Sequence, residues 1–186
     1  MLLRFSEGEK EMSIHDDFLN KTYHKEILEL MSVSDQTIFP WFFSDNITGE
    51  PDDKSDTVDN LENYGFFHIF WGYPDGPRES MYTDFIRPLL YKIMDEGGAT
   101  EILRSRGDMT MYSPSGFKHN YHIDFDFKNI GTVYYVNDSD GETECVSGAS
   151  CTPKANRLVI FDGQKLHTGH SPKKHKTRII INSNFK

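Results

Sequence analysis

The feature that most restricts the fold is a change of period at Thr100. Beyond it the chain runs in short segments, ATEILRSRG, DMTMYS, NYHIDFDF, GTVYYVN, RLVIFDG and TRIIINSNF, rich in β-branched and aromatic residues and separated by Gly, Pro, Asn, Asp and Ser. A lone short strand leaves its backbone donors and acceptors unpaired, so a series of them must pair with one another. This spacing is that of an all-β sandwich or barrel. The first hundred residues read differently. Ile14, Phe18, Ile27, Leu28, Leu30 and Met31 recur at near-helical intervals, which predicts a helix from Asp17 to Met31 with Asp16 and Asp17 favouring its N-terminus. An aromatic cluster of Phe39, Trp41, Phe42 and Phe43 follows, then an acidic, turn-rich loop from Glu50 to Asp59. A strand is expected over Gly65 to Trp71, and a second helix over Ser80 to Met94 that Pro88 either kinks or begins. The expected class is mainly β with N-terminal helices. A chain of 186 residues is read as one domain, with 1–99 as a helical support layer and first strands and 100–186 as the β core.

Charge narrows the function. Twenty Lys and Arg against 29 Asp and Glu give a net charge of -9, so no uniformly basic face exists for a phosphate backbone and nucleic acid is an unlikely partner. No apolar run approaches the roughly 18 to 20 residues that span a bilayer, and the start, MLLRFSEGEK, turns charged too early for a signal-peptide core. The expectation is a soluble, cytoplasmic protein with no membrane association. Cys145 and Cys151 are expected to remain thiols flanking a hairpin turn.

The chemistry concentrates in two places. Read as a strand of period two, Tyr121 to Phe127 places Tyr121, Ile123, Phe125 and Phe127 on one face and His122, Asp124 and Asp126 on the other. An imidazole and a carboxylate so spaced can converge on one cation about 2 Å from each, although an isolated His-x-Asp is more often a polar strand face meeting water. Forty-five residues on, the run Gln-Lys-Leu-His167-Thr-Gly-His170-Ser-Pro supplies a second histidine. His167 and His170 compete for that place, and the surrounding Leu-His-x-Gly-x-Ser-Pro favours His167. Two histidines and one carboxylate on one side of a metal leave three positions open, an arrangement that suits non-haem Fe(II) better than a structural zinc. Eleven residues further, Arg178 shares a strand face with Ile180 and Asn182, opposite Ile179, Ile181 and Phe185. A guanidinium there is shaped to clamp a carboxylate.

The order His122-x-Asp124, then Gly131-Thr-Val-Tyr-Tyr-Val-Asn137, Asp140-Gly-Glu-Thr143, Leu158-Val-Ile-Phe-Asp-Gly163, His167-x-Gly and Arg178 resembles the Fe(II)- and 2-oxoglutarate-dependent oxygenases. The closest likeness is to their small prolyl-4-hydroxylase-type members from bacteria and phages. The resemblance covers roughly Arg104 to Phe185. It implies a double-stranded β-helix, the jelly roll of the cupin barrel, with His122, Asp124 and His167 as iron ligands and Arg178 on the far carboxylate of 2-oxoglutarate. Tyr112 is implied as a hydroxyl on that same carboxylate, and Asn182 as a pocket residue. The implied reaction is hydroxylation of a C–H bond, on a prolyl or other peptide residue or a metabolite, coupled to decarboxylation of 2-oxoglutarate to succinate. Its cofactors are Fe(II), 2-oxoglutarate and O2, with ascorbate an optional addition. The chain departs from the pattern where Asp140-Gly-Glu-Thr stands for Gly-Gly-x-Thr, and where no Ser or Thr follows two residues after Arg178. Two rival readings are a cupin-type metal enzyme that does not use 2-oxoglutarate and a non-catalytic jelly-roll binding module. His119 is expected in a loop from which it can reach the substrate mouth, His175 in a charged turn, and Asp126 as an acceptor behind the ligands or a substrate contact. His15, His24 and His68 are expected to be structural or surface residues.

Overall fold

Asn20 starts the first helix. Its side chain accepts a hydrogen bond from the Tyr23 N–H (2.9 Å), an N-cap that satisfies one of the donors a helix leaves unpaired at its start. The computed structural model describes residues 11–32, 34, 38–47, 61–73 and 76–186. Among them run β1 (Met12–His15), α1 (Lys21–Met31), β2 (Phe42–Ser44), β3 (Gly65–Tyr73), β4 (Gly76–Glu79) and α2 (Thr83–Gly97). The remaining elements are β5 (Ile102–Met111), β6 (Ile130–Tyr135), β7 (Thr143–Cys145), β8 (Ser150–Cys151), β9 (Arg157–Asp162), β10 (His167–Gly169) and β11 (Thr177–Phe185).

Helix α1 begins four residues later than its periodicity predicts, because the two acidic residues ahead of it have other roles. Asp17 takes a left-handed backbone (φ 52°), and Asp16 reaches across to Arg157 (2.6 Å) and Lys154 (3.1 Å). Those hydrogen bonds, Arg157 first, hold its carboxyl down at about 2. Helix α2 runs through Pro88. The proline lies on the exposed side, where water can satisfy the carbonyl that its missing N–H would have met. Gly98 ends α2 in a left-handed turn (φ 66°) that returns the Ala99 N–H to Met94 O. The acidic loop Glu50 to Asp59 lies outside the described residues.

The strands form two antiparallel sheets. The larger has the order β1-β9-β6-β11-β5-β3-β2 with β4 added on β3, and the smaller is β10-β7-β8. One face of the larger sheet receives the helices: Ile27 and Met31 of α1 and Ile86, Leu89, Leu90 and Ile93 of α2 pack with Phe70, Met109, Leu158, Ile160, Ile179, Ile181 and Phe185. Its other face meets the smaller sheet, where Val133, Tyr135, Val159, Phe161 and Ile180 bury Cys145 and Cys151. This is the double-stranded β-helix, with the helices as an outer layer. Residues before 100 supply not only that layer but four strands, which extend both edges of the larger sheet. Both cysteines are free and buried beside the β7–β8 hairpin, and burial raises both thiols.

Two expectations from local pattern are corrected. Segments ATEILRSRG and DMTMYS form one strand, β5, and Gly107 does not break it. A Cβ there would lie 2.8 Å from Met31 Cε and 3.2 Å from a Phe70 ring carbon, so the glycine marks close approach of the core rather than a turn. Conversely, Tyr121 to Phe127 is not a strand. Only His122 pairs, in a single antiparallel bridge to His167. Of the side chains placed together on one face by the strand reading, Ile123 and Phe127 are 41% and 43% exposed.

The chain between β8 and β9 is tied to the N-terminal segment through Asn156, itself left-handed (φ 63°) and buried. Its Oδ1 accepts from Leu19 N–H (2.8 Å) and Tyr134 OH (3.0 Å), and its Nδ2 donates to Leu19 O (2.8 Å). Asn156→Ala strands these buried partners and places alanine at positive φ, so urea denaturation should show a loss of about 3 kcal/mol. A loss below about 1 kcal/mol would mean the segment is held in some other way.

Candidate metal and cosubstrate site

The central strands β5 and β11 pair residue for residue: Arg178 with Thr110, Ile180 with Asp108, Asn182 with Arg106 and Asn184 with Arg104. Alternation turns this whole row toward the interior of the roll, while Met109, Ile179 and Ile181 turn to the helices. Charged side chains in such a position must be paired. Arg106 Nε lies 2.7 Å from Asp108 Oδ1, and Arg104 Nη2 lies 2.6 Å from Asp124 Oδ1. Burial raises the Asp108 carboxyl, against the opposing pull of Arg106 and Arg104.

At one end of the row three potential ligands meet. The backbones of His122 and His167 exchange two hydrogen bonds of 3.0 Å, which fixes the two imidazoles side by side with ring centroids 4.6 Å apart. His122 Nδ1 donates to Asn120 O (3.2 Å) and His167 Nδ1 to Lys165 O (3.0 Å). A carbonyl only accepts, so each Nδ1 carries the proton and each Nε2 keeps its lone pair. Both Nε2 atoms lie 3.8 Å from Asp124 oxygens, His122 from Oδ1 and His167 from Oδ2. That is within the span of about 4 Å that one cation bound at 2.0–2.2 Å can bridge. The three ligand atoms all lie within 4.8 Å of one another. Burial pushes the Asp124 carboxyl up, but Arg104, His167 and His122 together outweigh it and hold it well below the usual range. Asn184 Nδ2 also donates to its Oδ2 (3.1 Å). Burial, and then His167, lower the His122 imidazole. The donor set is therefore one carboxylate and two imidazole Nε2 atoms, which fits a divalent iron.

At the other end lies Arg178, 3% exposed. Its Nε donates to Gly141 O and its Nη2 to Thr143 Oγ1, both at 2.7 Å, and its guanidinium stands 5.7 Å from the Tyr135 ring centre. Among the described residues it has no carboxylate partner. Burial pulls its guanidinium below the ordinary value, yet it stays a cation. The Asp140-Gly-Glu-Thr run supplies both acceptors of Arg178. A Cβ on Gly141 would lie 2.1 Å from His170 O and 3.0 Å from Arg178 Cδ. Asp140, at the departure from the expected glycine, accepts from Lys173 N, Lys174 N and His175 Nδ1, tying down the basic turn.

Between the two ends a small cavity of about 60 Å³ is lined by Asp108, Thr110, His119, Arg178 and Asn182 together with His122 and His167. Two of its polar atoms, Thr110 Oγ1 and Asn182 Oδ1, are buried without a hydrogen-bond partner. It adjoins a cleft of about 830 Å³ that shares Ile47, Arg106 and His122 with it. The structure thus brings His122, Asp124, His167, Arg178 and Asn182 together. It does not bring in Tyr112, which follows the end of β5, is 53% exposed and lies outside the cavity lining. His170 turns away to Glu144 (3.2 Å), and Asp126 is exposed, out of phase because its segment is not a strand. His119 is no ordinary loop histidine: it is 3% exposed and held between Asn63 Oδ1 (2.9 Å) and Ser171 Oγ (3.3 Å). The residues missed by sequence reasoning are Arg104, Arg106, Asp108 and Thr110. Their signal was present, since polar groups stand at every second position of RSRGDMT.

No protein-family model matches the sequence, and no curated protein does. Solved structures do match. A viral collagen prolyl hydroxylase from Paramecium bursaria Chlorella virus-1, solved as its 2-oxoglutarate complex, aligns over 97% of this chain and 98% of its own at TM-score 0.58 and 14% identity. A prolyl-4-hydroxylase of Pseudomonas putida aligns over 95% and 92% at 0.52 and 14%. A prolyl hydroxylase of Trichoplax adhaerens, in complex with a hypoxia inducible factor peptide fragment, aligns over 94% and 83% at 0.55 and 15%. The chain shares the fold of prolyl-hydroxylase-type 2-oxoglutarate oxygenases.

His119 makes the site sensitive to acid. Burial, and then the charge of Arg178, lower its imidazole from 6.5 to about 4. Between those values the unfolded chain binds the proton and the folded one does not, so stability is greatest above pH 6.5 and falls on acidification toward pH 4. The loss should approach about 3 kcal/mol, and His119→Gln should lose that much less over the same window. Parallel pH–stability curves for the two proteins would refute this.

Proposed function

We propose that the chain is a dioxygenase that hydroxylates a C–H bond of a second substrate while decarboxylating 2-oxoglutarate to succinate. His122, Asp124 and His167 hold the Fe(II), and Arg178 holds the cosubstrate. The observation that carries this is a cavity lined at one end by His122 and His167, the two histidines grouped with Asp124, and at the other by a buried arginine with no carboxylate partner among the described residues. A guanidinium buried without an anion is costly, and a dicarboxylic 2-oxo acid supplies one at the required place. A cupin-type enzyme that does not use 2-oxoglutarate, or a binding module, leaves Arg178 unexplained.

Bound iron supplies the redox chemistry that activates oxygen. The protein's own groups do the rest. His122 and His167 present Nε2 lone pairs because their Nδ1 protons are engaged by backbone carbonyls, and Asp124 stays ionised throughout the working pH range. Arg178 receives the far carboxylate in a charge-assisted pair. Thr110, directly across the strand from Arg178, has a free hydroxyl to donate to the same carboxylate, and Asn182 lines the path between. Val133, Ile180 and the walls of the roll keep water from the reacting atoms. The second substrate enters from the larger cleft, beside His122 and Asp124. A peptide, as in the Trichoplax complex, and a small molecule are both candidates for it.

The test is succinate formed from 2-oxoglutarate with Fe(II) and oxygen, measured without added substrate. His122→Ala and Asp124→Ala should reduce iron-dependent succinate by about 100-fold or more. Arg178→Ala should raise the 2-oxoglutarate concentration needed by about 10- to 100-fold, the equivalent of one lost charge-assisted interaction. Unchanged turnover in Asp124→Ala would remove the proposal.

A further inference from the structure

Among the described residues, the charges lining the larger cleft balance only while Asp124 serves Arg104. Two arginines, Arg104 and Arg106, face it alongside Asp124, and Glu79 stands at its rim. Glu79 is paired with Arg87 (3.5 Å) and Arg106 with Asp108 (2.7 Å). Arg104 has Asp124 as its one anionic partner among the described residues (2.6 Å). Asp124 is also the one carboxylate of the metal group. This inference rests on the oxygenase reading at that point. When a divalent cation is loaded, its two charges are met by Asp124 and by the 2-oxo acid end of the cosubstrate, while the far carboxylate meets Arg178. The cation of Arg104 is then left without an equivalent.

Arg104 is built to receive a ligand rather than to point at solvent. It is 8% exposed, its Nε is buried and makes no hydrogen bond, and its guanidinium is steadied 5.6 Å from the Phe125 ring centre. Phe42, Phe67, Ile47 and Ile69 give the same cleft an apolar part, beside the polar Ser44, Asn46, His68 and Ser80, with the Phe42 and Phe67 rings 5.9 Å apart. We propose that the second substrate carries a carboxylate that Arg104 receives, with its apolar part against Phe42 and Phe67. One surplus positive charge matches one carboxylate, and a phosphate dianion would overshoot it. The carboxylate belongs either to a small acid or to an acidic residue of a peptide.

The test reads binding, not turnover. Protein loaded with Mn(II) and saturated with 2-oxoglutarate, so that Arg178 is occupied, is probed by paramagnetic relaxation of ligand protons. The probes are N-acetyl-phenylalanine, its carboxamide, an amide-capped tetrapeptide with one internal glutamate, and phenyl phosphate. At least one carboxylate probe should bind about tenfold or more tightly than the carboxamide, and whichever carboxylate binds better identifies its source. Arg104→Gln should erase the preference and Arg104→Lys should retain part of it, with Mn(II) and 2-oxoglutarate binding measured in the same samples. Acid and amide binding alike to the wild type, phosphate binding tightest, or a preference that survives in Arg104→Gln overturns the proposal. If Arg104→Gln no longer takes up Mn(II), the wild-type comparison and Arg104→Lys decide it. A wild-type protein that takes up neither Mn(II) nor 2-oxoglutarate overturns the oxygenase reading before any probe is added, and the carboxylate proposal falls with it.

Discussion

Two backbone hydrogen bonds between His122 and His167 hold the candidate site together. The segments they join lie forty-five residues apart, and Tyr121 to Phe127 has no other strand pairing to fix it. Hydrogen bonds from backbone to backbone place Cα atoms more firmly than side-chain contacts do, because no rotamer freedom intervenes. With both Cα positions fixed, each imidazole needs only one further bond, Nδ1 to a nearby carbonyl, to aim its Nε2 inward. Asp124, two residues on, is then oriented by Arg104 and Asn184 from the strands behind.

The second constraint is electrostatic. A roll whose inner row carries Arg104, Arg106, Asp108 and Arg178 is not stabilised by that row, since desolvating ions is unfavourable even when they are paired. The fold tolerates them because the opposite face of the same strands is packed against two helices in a continuous apolar core. The sheet therefore differs by face, with the apolar core on the helical side and the charged row on the inner side. Arg178 and Arg104 differ from ordinary buried arginines in that the first has no carboxylate partner among the described residues and the partner of the second, Asp124, also belongs to the cluster that could hold a metal ion.

Much of this was legible in the sequence, for reasons that can be named. The His-x-Asp, the distal His167 and Arg178 stand out as candidates because metal ligation and carboxylate clamping admit few residue types, and the structure gathers them around one site. The strand faces of β11 follow from alternation alone. Other features were hidden. Seven residues of period two cannot be told from an irregular segment when only one of them pairs. Gly107 imitated a turn while serving close packing, and so concealed the charged row of β5. Asp16 and Asp17 imitated a helix start because nothing in their neighbourhood reveals a partner as distant as Arg157. The exposure of Tyr112 and the burial of His119 depend on where β5 ends and on residues from three separate loops, which no local pattern contains. The chain shares the roll with structural neighbours at 14–15% identity.

The central claim is that one cavity joins a metal at His122, Asp124 and His167 to a dicarboxylic acid at Arg178. A crystal grown with Mn(II) and 2-oxoglutarate, and measured for anomalous scattering from the manganese, tests it most directly. The account predicts one strong anomalous peak among His122 Nε2, the Asp124 carboxylate and His167 Nε2, with density for the acid running from that peak to the Arg178 guanidinium. A peak beside His170 and Glu144, or 2-oxoglutarate bound without contact to Arg178, would contradict it.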